Sequence, residues 1–179
     1  SAIAAACPDV DVTITYENGE QQVLLNGENV NGVIRNEEVG NMASSTSVYP
    51  VVREKLVELQ RQLAKSADVI MDGRDIGTCV LPDAQVKIYL TASSATRAKR
   101  RFDELTEKGV SCDLAEIEKD IIDRDYRDMH GELSPLKQAE DAILLDTSEL
   151  DFEEVMREME KLVEAAKKKQ KNPIAVGNF

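Results

Sequence analysis

The chain has 179 residues, of which 42% are hydrophobic, and a formal net charge of -12 at pH 7; this fits one domain, or one domain with a small insert, around a substantial core. Such a negative balance argues against nucleic acid or an anionic membrane as a partner, since both need a basic footprint, and no apolar run approaches the length of a membrane span or signal sequence. The three cysteines, Cys7, Cys79 and Cys112, are odd in number and far apart, with no second Cys or His at metal spacing, so they read as free thiols in a reducing, cytoplasmic setting with no metal centre.

In chain order, Ser1 to Cys7 reads as the tail of a helix. Val10 to Tyr16 alternates, Glu17-Asn18-Gly19-Glu20 supplies a turn and Gln22 to Leu25 returns, which predicts a β-hairpin. Asn26-Gly27 turns the chain again. Asn36 to Ser45 and Pro50 to Lys65 read as helices, the second with Pro50 in its first turn and Val52, Leu56, Leu59 and Leu63 along one face. Val69-Ile70-Met71 then predicts a buried strand delivering Asp72-Gly73-Arg74-Asp75 onto a turn that closes at Ile76-Gly77-Thr78. In open α/β sheets ligands sit beyond the carboxyl ends of such strands. Arg74 is therefore placed to meet an anion, and Asp75 to accept hydrogen bonds from an amine or to fix an arginine. A surface turn with an internal ion pair fits the same residues.

A second strand, Val86 to Leu90, leads through Thr91-Ala92-Ser93-Ser94 into a helix carrying Arg97, Lys99, Arg100 and Arg101. Asp113-Leu114-Ala115-Glu116 and Asp151-Phe152-Glu153-Glu154 have the form of capping boxes and mark two further helix starts. Between them, Asp123-Arg124-Asp125-Tyr126-Arg127-Asp128 leads through Ser134-Pro135-Leu136 to a third strand, Ala142 to Leu145. The three strands are expected to be neighbours in one mostly parallel sheet, because strand, helix, strand crossovers allow little else. Beyond Ala166 the apolar period stops; Lys167 to Lys171 reads as a frayed tail, with Pro173 to Phe179 disordered or packed opportunistically.

The run from Asp72 to Thr78, the arginine-rich helix and the Asp123 to Asp128 segment, together with Asn41-Met42-Ala43-Ser44 and Val52-Arg53, resemble the bacterial cytidylate kinases, which phosphorylate CMP and dCMP with ATP. The likeness runs from about Val10 to about Val163. It implies an α/β fold of the P-loop kinase kind, a mostly parallel sheet flanked by helices with a small α+β CMP-binding insert. Residues 1–66 would form the insert region, 67–166 the core with a lid near 97–134, and 167–179 a tail. Such kinases need a G-x-x-x-x-G-K-[ST] loop to cradle the ATP phosphates. The nearest frame here, Gly27 to Gly32, is followed by Val33-Ile34. The expectation is a chain in which the N-terminal strand and P-loop are missing, inactive alone. ATP and Mg would be family co-substrates that it binds poorly, with cofactor-binding residues left unassigned.

Phosphoryl transfer asks protein mainly for positioning and charge neutralisation, so arginines should converge between donor and acceptor. Arg74, Arg124 and Arg127 are the catalytic candidates. Arg124 and Asp128 lie four apart on a helical segment, where a simple ion pair is the plain alternative; the resemblance implies contacts with the pentose and its surroundings. Cytosine presents an N4 donor beside an acceptor, and the resemblance assigns its recognition to Ser44, Arg53 and Asp75, with Arg74 toward the phosphate. Arg35 is similar to an arginine common in the insert and receives no contact. Two departures stand out in the lid: Gly131 holds a place usually arginine, and His130 one often asparagine. Arg100, Arg101 or Arg127 are expected to compensate. The competing reading is a non-catalytic CMP-binding module or remnant acting with a partner, and oligomeric state is not legible.

Overall fold

The computed structural model describes residues 2–131 and 135–171 and divides into two compact units, Ser1–Met71 and Asp72–Phe179. In the first unit, α1 (Ala2–Ala6) runs through a tight turn at Cys7–Asp9 into an antiparallel sheet of β1 (Val12–Glu17), β2 (Glu20–Leu25) and β3 (Glu28–Asn29). Asn18 and Gly19 both take positive φ, 54° and 83°, the pattern whose twist matches paired strands. Register is then fixed from Glu17↔Glu20 to Val12↔Leu25. Asparagines lock the sheet: the Asn26 side chain accepts from the Asp11 N–H at 2.7 Å, and that of Asn31 accepts from Val23 N–H at 2.8 Å while donating to the Gln21 carbonyl at 2.7 Å.

Two helices follow, α2 (Glu37–Thr46) and α3 (Pro50–Ser66). The Asn36 side chain caps α2 by accepting from Val39 N–H at 2.8 Å. Pro50 opens α3 where its missing N–H costs nothing. Lys55 ties α3 back to the entry turn by donating to the carbonyls of Cys7 and Pro8, each at 2.8 Å.

The expected strand at Val69–Met71 is absent; residues 68–72 carry no regular structure and Ile70 is fully exposed. An apolar run becomes a parallel strand only when neighbouring backbones take its N–H and C=O groups. The described ladders pair other segments. Sequence pattern therefore marks strand capacity, and pairing decides whether it is used.

In the second unit, residues 72–75 lead into a wide turn at Ile76–Val80, closed by bonds from Val80 N–H to Asp75 O (3.2 Å) and Leu81 N–H to Ile76 O (2.7 Å). Gly73 fits closely there: a Cβ would stand 3.0 Å from Ile76 Cγ1 and would press that side chain aside by a few tenths of an ångström. β4 (Ile88–Thr91) and β5 (Ile143–Asp146) pair in parallel from Ile88↔Ile143 to Thr91↔Asp146. Lys87 and Asp141 clasp the entrance at 2.7 Å. The unit also contains α4 (Ser94–Glu107), α5 (Leu114–His130) and α6 (Phe152–Lys171), with α4 packed on α5.

Their starts carry the expected caps. Asp113 accepts from Glu116 N–H at 2.9 Å, and at α6 the box is reciprocal: Asp151 accepts from Glu154 N–H at 2.8 Å while Glu154 accepts from Asp151 N–H at 2.9 Å. The frayed tail is corrected, since α6 continues through Lys171. A capped helix propagates at one bond per residue, and lysine is a good helix former. Pro173 to Phe179 and Ser134 lie outside the described residues.

The substantial core is corrected too. Among the described residues, the buried apolar side chains are Cys7, Val80, Ala92 and Ala98, whereas Leu90, Ile143 and Leu144 on the strands stay exposed. Two paired strands leave open the flanks that a larger parallel sheet would cover. No described helix is long and apolar enough to cross a membrane.

Candidate functional site

The second unit brings three of the expected residues together. Arg74 is held on the segment entering the wide turn, which Asp75 anchors by accepting, through its carbonyl, from Cys79 N–H (2.8 Å) and Val80 N–H (3.2 Å). Val80, 2% exposed, fixes the far end of that turn. From this base Arg74 Nε donates to Asp128 Oδ2 at 2.9 Å, across 54 residues of sequence. Arg124 Nε, one helical turn before Asp128 on α5, lies 3.8 Å from the same oxygen.

Two guanidiniums thus share one carboxylate, and the cluster keeps a net positive charge. Arg74 is half exposed and Arg124 more so, while Asp128 is only 25% exposed. Both contacts to Asp128 run through Nε, which leaves the terminal nitrogens of the two guanidiniums to face an incoming anion. A phosphate group suits such forks, because two parallel N–H donors match two of its oxygens.

Behind this cluster lies a pair that sequence reasoning missed. Asp125 accepts from both terminal nitrogens of Arg97, at 2.9 and 2.5 Å, and Arg97 Nε donates to the Ala92 carbonyl at 3.0 Å. The hydrogen bond from Arg97 holds the Asp125 carboxyl below the usual range; partial burial opposes this, and the charges of Arg97, Arg74 and Arg124 reinforce it. A bidentate match between residues 28 apart leaves no local sequence signal.

Other candidates fall elsewhere. Arg127 Nε donates to the Asp123 carbonyl at 3.2 Å, one turn back on its own helix. Of the expected stand-ins for an arginine at 131, two are held apart from the cluster. Arg100 donates to the carbonyls of Thr147 (2.7 Å) and Leu150 (3.1 Å), and Arg101 to Glu104 at 2.8 Å. Gly131 closes α5 in an extended conformation. His130 stacks on Tyr126 with ring centroids 4.2 Å apart, its Nδ1 2.8 Å from the Tyr126 carbonyl.

Ser44 and Arg53 belong to the first unit. Ser44 sits within α2, its side chain outside the described residues. Arg53 lies in the first turn of α3, half-buried, its backbone N–H donating to Tyr49 O at 3.1 Å. A shallow cleft of about 450 Å³ opens beside the wide turn of the second unit, lined by Thr78, Cys79, Pro135 and Lys137.

Residues 3–167 match the family model described as Cytidylate kinase. Among curated relatives, the cytidylate kinase of Lactobacillus johnsonii is 56% identical over 161 residues, covering 90% of this chain and 69% of that protein. That of Caldicellulosiruptor saccharolyticus is 51% identical over 151 residues, covering 84% and 67%. That of Actinobacillus succinogenes is 46% identical over 156 residues, covering 87% and 69%.

Proposed function

This chain belongs to the cytidylate kinase family, and from that premise we propose that it is a nucleoside monophosphate kinase transferring the γ-phosphate of ATP to CMP or dCMP, its 179 residues supplying the acceptor side. The observation that carries the acceptor assignment is the meeting of Arg74 and Arg124 on Asp128. There the acceptor phosphate replaces water around two rigid forks. As charge builds on the oxygens of the transferring group, Arg74 and Arg124 already stand where it develops, so little reorganisation is needed. Arg127, on the same helix, is a further donor available to that charge. Asp128 does two things: it aims Arg74, and it offers an acceptor to a pentose hydroxyl.

Ser44, Arg53 and Asp75 are the proposed readers of cytosine, an acceptor set for N4 and a cationic donor for the neighbouring acceptors of the ring. Their support is the family likeness of the positions. Free cytoplasmic nucleotides are the matching substrates. The residues here do not fit the ATP phosphates: the 179 positions contain no glycine-rich loop ending in Lys-Ser or Lys-Thr. Nor does any cluster of three or more His, Cys, Asp or Glu able to hold a metal lie among the described residues.

Calorimetric titration tests the assignment. CMP and dCMP are expected to bind about tenfold or more tightly than UMP or AMP, because a site built to pair polar groups penalises analogues that leave them unpaired. AMP binding as tightly as CMP would overturn it. For turnover, a relative's glycine-rich ATP-binding segment fused ahead of Ser1 should give CMP-dependent ADP release, most of it lost with Arg74→Ala. No release from the fusion would favour the non-catalytic module.

A further inference from the structure

Asp125 sits one residue after Arg124 and three before Asp128, and through it α5 is tied to α4. Its forked pair with Arg97 fixes distance and angle together, which a single-point contact does not. Arg97 is itself anchored on the carbonyl of Ala92, a residue 8% exposed that directly follows β4. One guanidinium therefore joins a strand end, the first turn of α4 and the middle of α5. A second tie, Ser94 Oγ donating to Glu118 Oε1 at 2.9 Å, lies earlier on α5.

Glu118 and Asp125 are about two helical turns apart and so share one stripe of α5. Two anchors on one stripe remove rotation about the helix axis. Arg124 and Asp128 lie roughly 60 to 100° round the helix from that stripe, both to the same side. Fixing the stripe therefore fixes where both side chains emerge.

We infer that Arg97 and Asp125 are positioning residues: their pair sets the rotation of α5 so that Asp128 meets Arg74 and Arg124 stands beside them. Its consequence for substrate rests on the phosphate-binding reading of that cluster. An ordinary surface ion pair would stabilise the unit slightly and leave the cluster unmoved.

The test uses the 179-residue chain, with Asp125→Asn and Arg97→Lys, and follows the Arg74 Nε–H by nitrogen-15 NMR alongside CMP calorimetry and thermal melting. Loosening α5 should speed exchange of the Arg74 Nε–H with solvent about tenfold and weaken CMP about tenfold. Asp141→Asn, which breaks the Lys87 clasp in the same unit, is the control for lost stability and should change neither readout. Unchanged Arg74 exchange in both variants would overturn the inference, as would equal changes from Asp141→Asn. Failure of the unmodified chain to bind CMP would instead overturn the nucleotide reading, while Arg74 exchange would still decide whether the pair positions α5.

Discussion

The two units are held together by different means. In the first, the sheet is locked by short-range amides, Asn26 reaching Asp11 and Asn31 reaching Val23, Gln21 and Gln22 around one hairpin. One long-range tie, Lys55 to the Cys7 and Pro8 carbonyls, holds α3 to the entry turn. In the second, charged side chains reach across long stretches of sequence: Arg74 to Asp128 and Lys87 to Asp141 as ion pairs, and Arg100 to the neutral Thr147 carbonyl. Local amide bonds fix a shape whatever the rest of the chain does. Long-range guanidinium pairs do more, because the groups that hold the elements are also the groups that can receive an anion. The phosphate site proposed for this chain would therefore be built from the second unit's own scaffolding, Arg74, Arg124 and Asp128.

The sharpest way to break this comparison is Arg74→Ala. Losing a charge-assisted, forked contact should weaken CMP by roughly tenfold to a hundredfold, read by calorimetry, with the hairpin of the first unit unchanged by NMR. An equal loss from a hairpin substitution would remove the distinction. Next comes Val80→Ala, which empties part of a small core and should cost about 2 kcal/mol. Hydrogen exchange should then quicken in β4 and β5 but not in β1 and β2.

A smaller effect is expected in the first unit. Gly19 holds φ at 83° in the hairpin turn, and Gly19→Ala should cost about 1 kcal/mol through that strain, measured by urea unfolding, without altering CMP affinity. The smallest effect is with acid. Asp125 lies below its ordinary value, so the stability it contributes is complete above the unfolded value near ~3.9 and is lost as pH falls through the folded one. Partial exposure and screening keep it to about 1 kcal/mol or less. The stability gap between the unmodified chain and Asp125→Asn should be visible at pH 7 and close as the pH falls below about 4.

How much was legible follows the same division. The hairpin, the helix that Asn36 opens, Pro50 at the head of α3 and the Asp151 to Glu154 box were legible because each depends on residues within a few positions of one another, while the role of Asn36 as the cap of α2 came from the structure. The parallel pairing of β4 with β5 was legible as well, since short apolar runs separated by helices leave few other topologies. Arg74, Arg124 and Asp128 were named from a local pattern and a family likeness. Their meeting on one carboxylate oxygen was not readable from either.

By itself, then, the sequence determined where helices begin, which turns carry glycine and which family the chain resembles. Tertiary structure alone decided three other things. It left Val69–Met71 without a ladder, since a strand exists only with a partner for its backbone. It engaged Arg100 and Arg101 away from the cluster and left Arg74 and Arg124 to share Asp128. And it joined Arg97 to Asp125, because a planar fork finds its carboxylate by distance and angle in space, quantities that spacing along a chain does not contain.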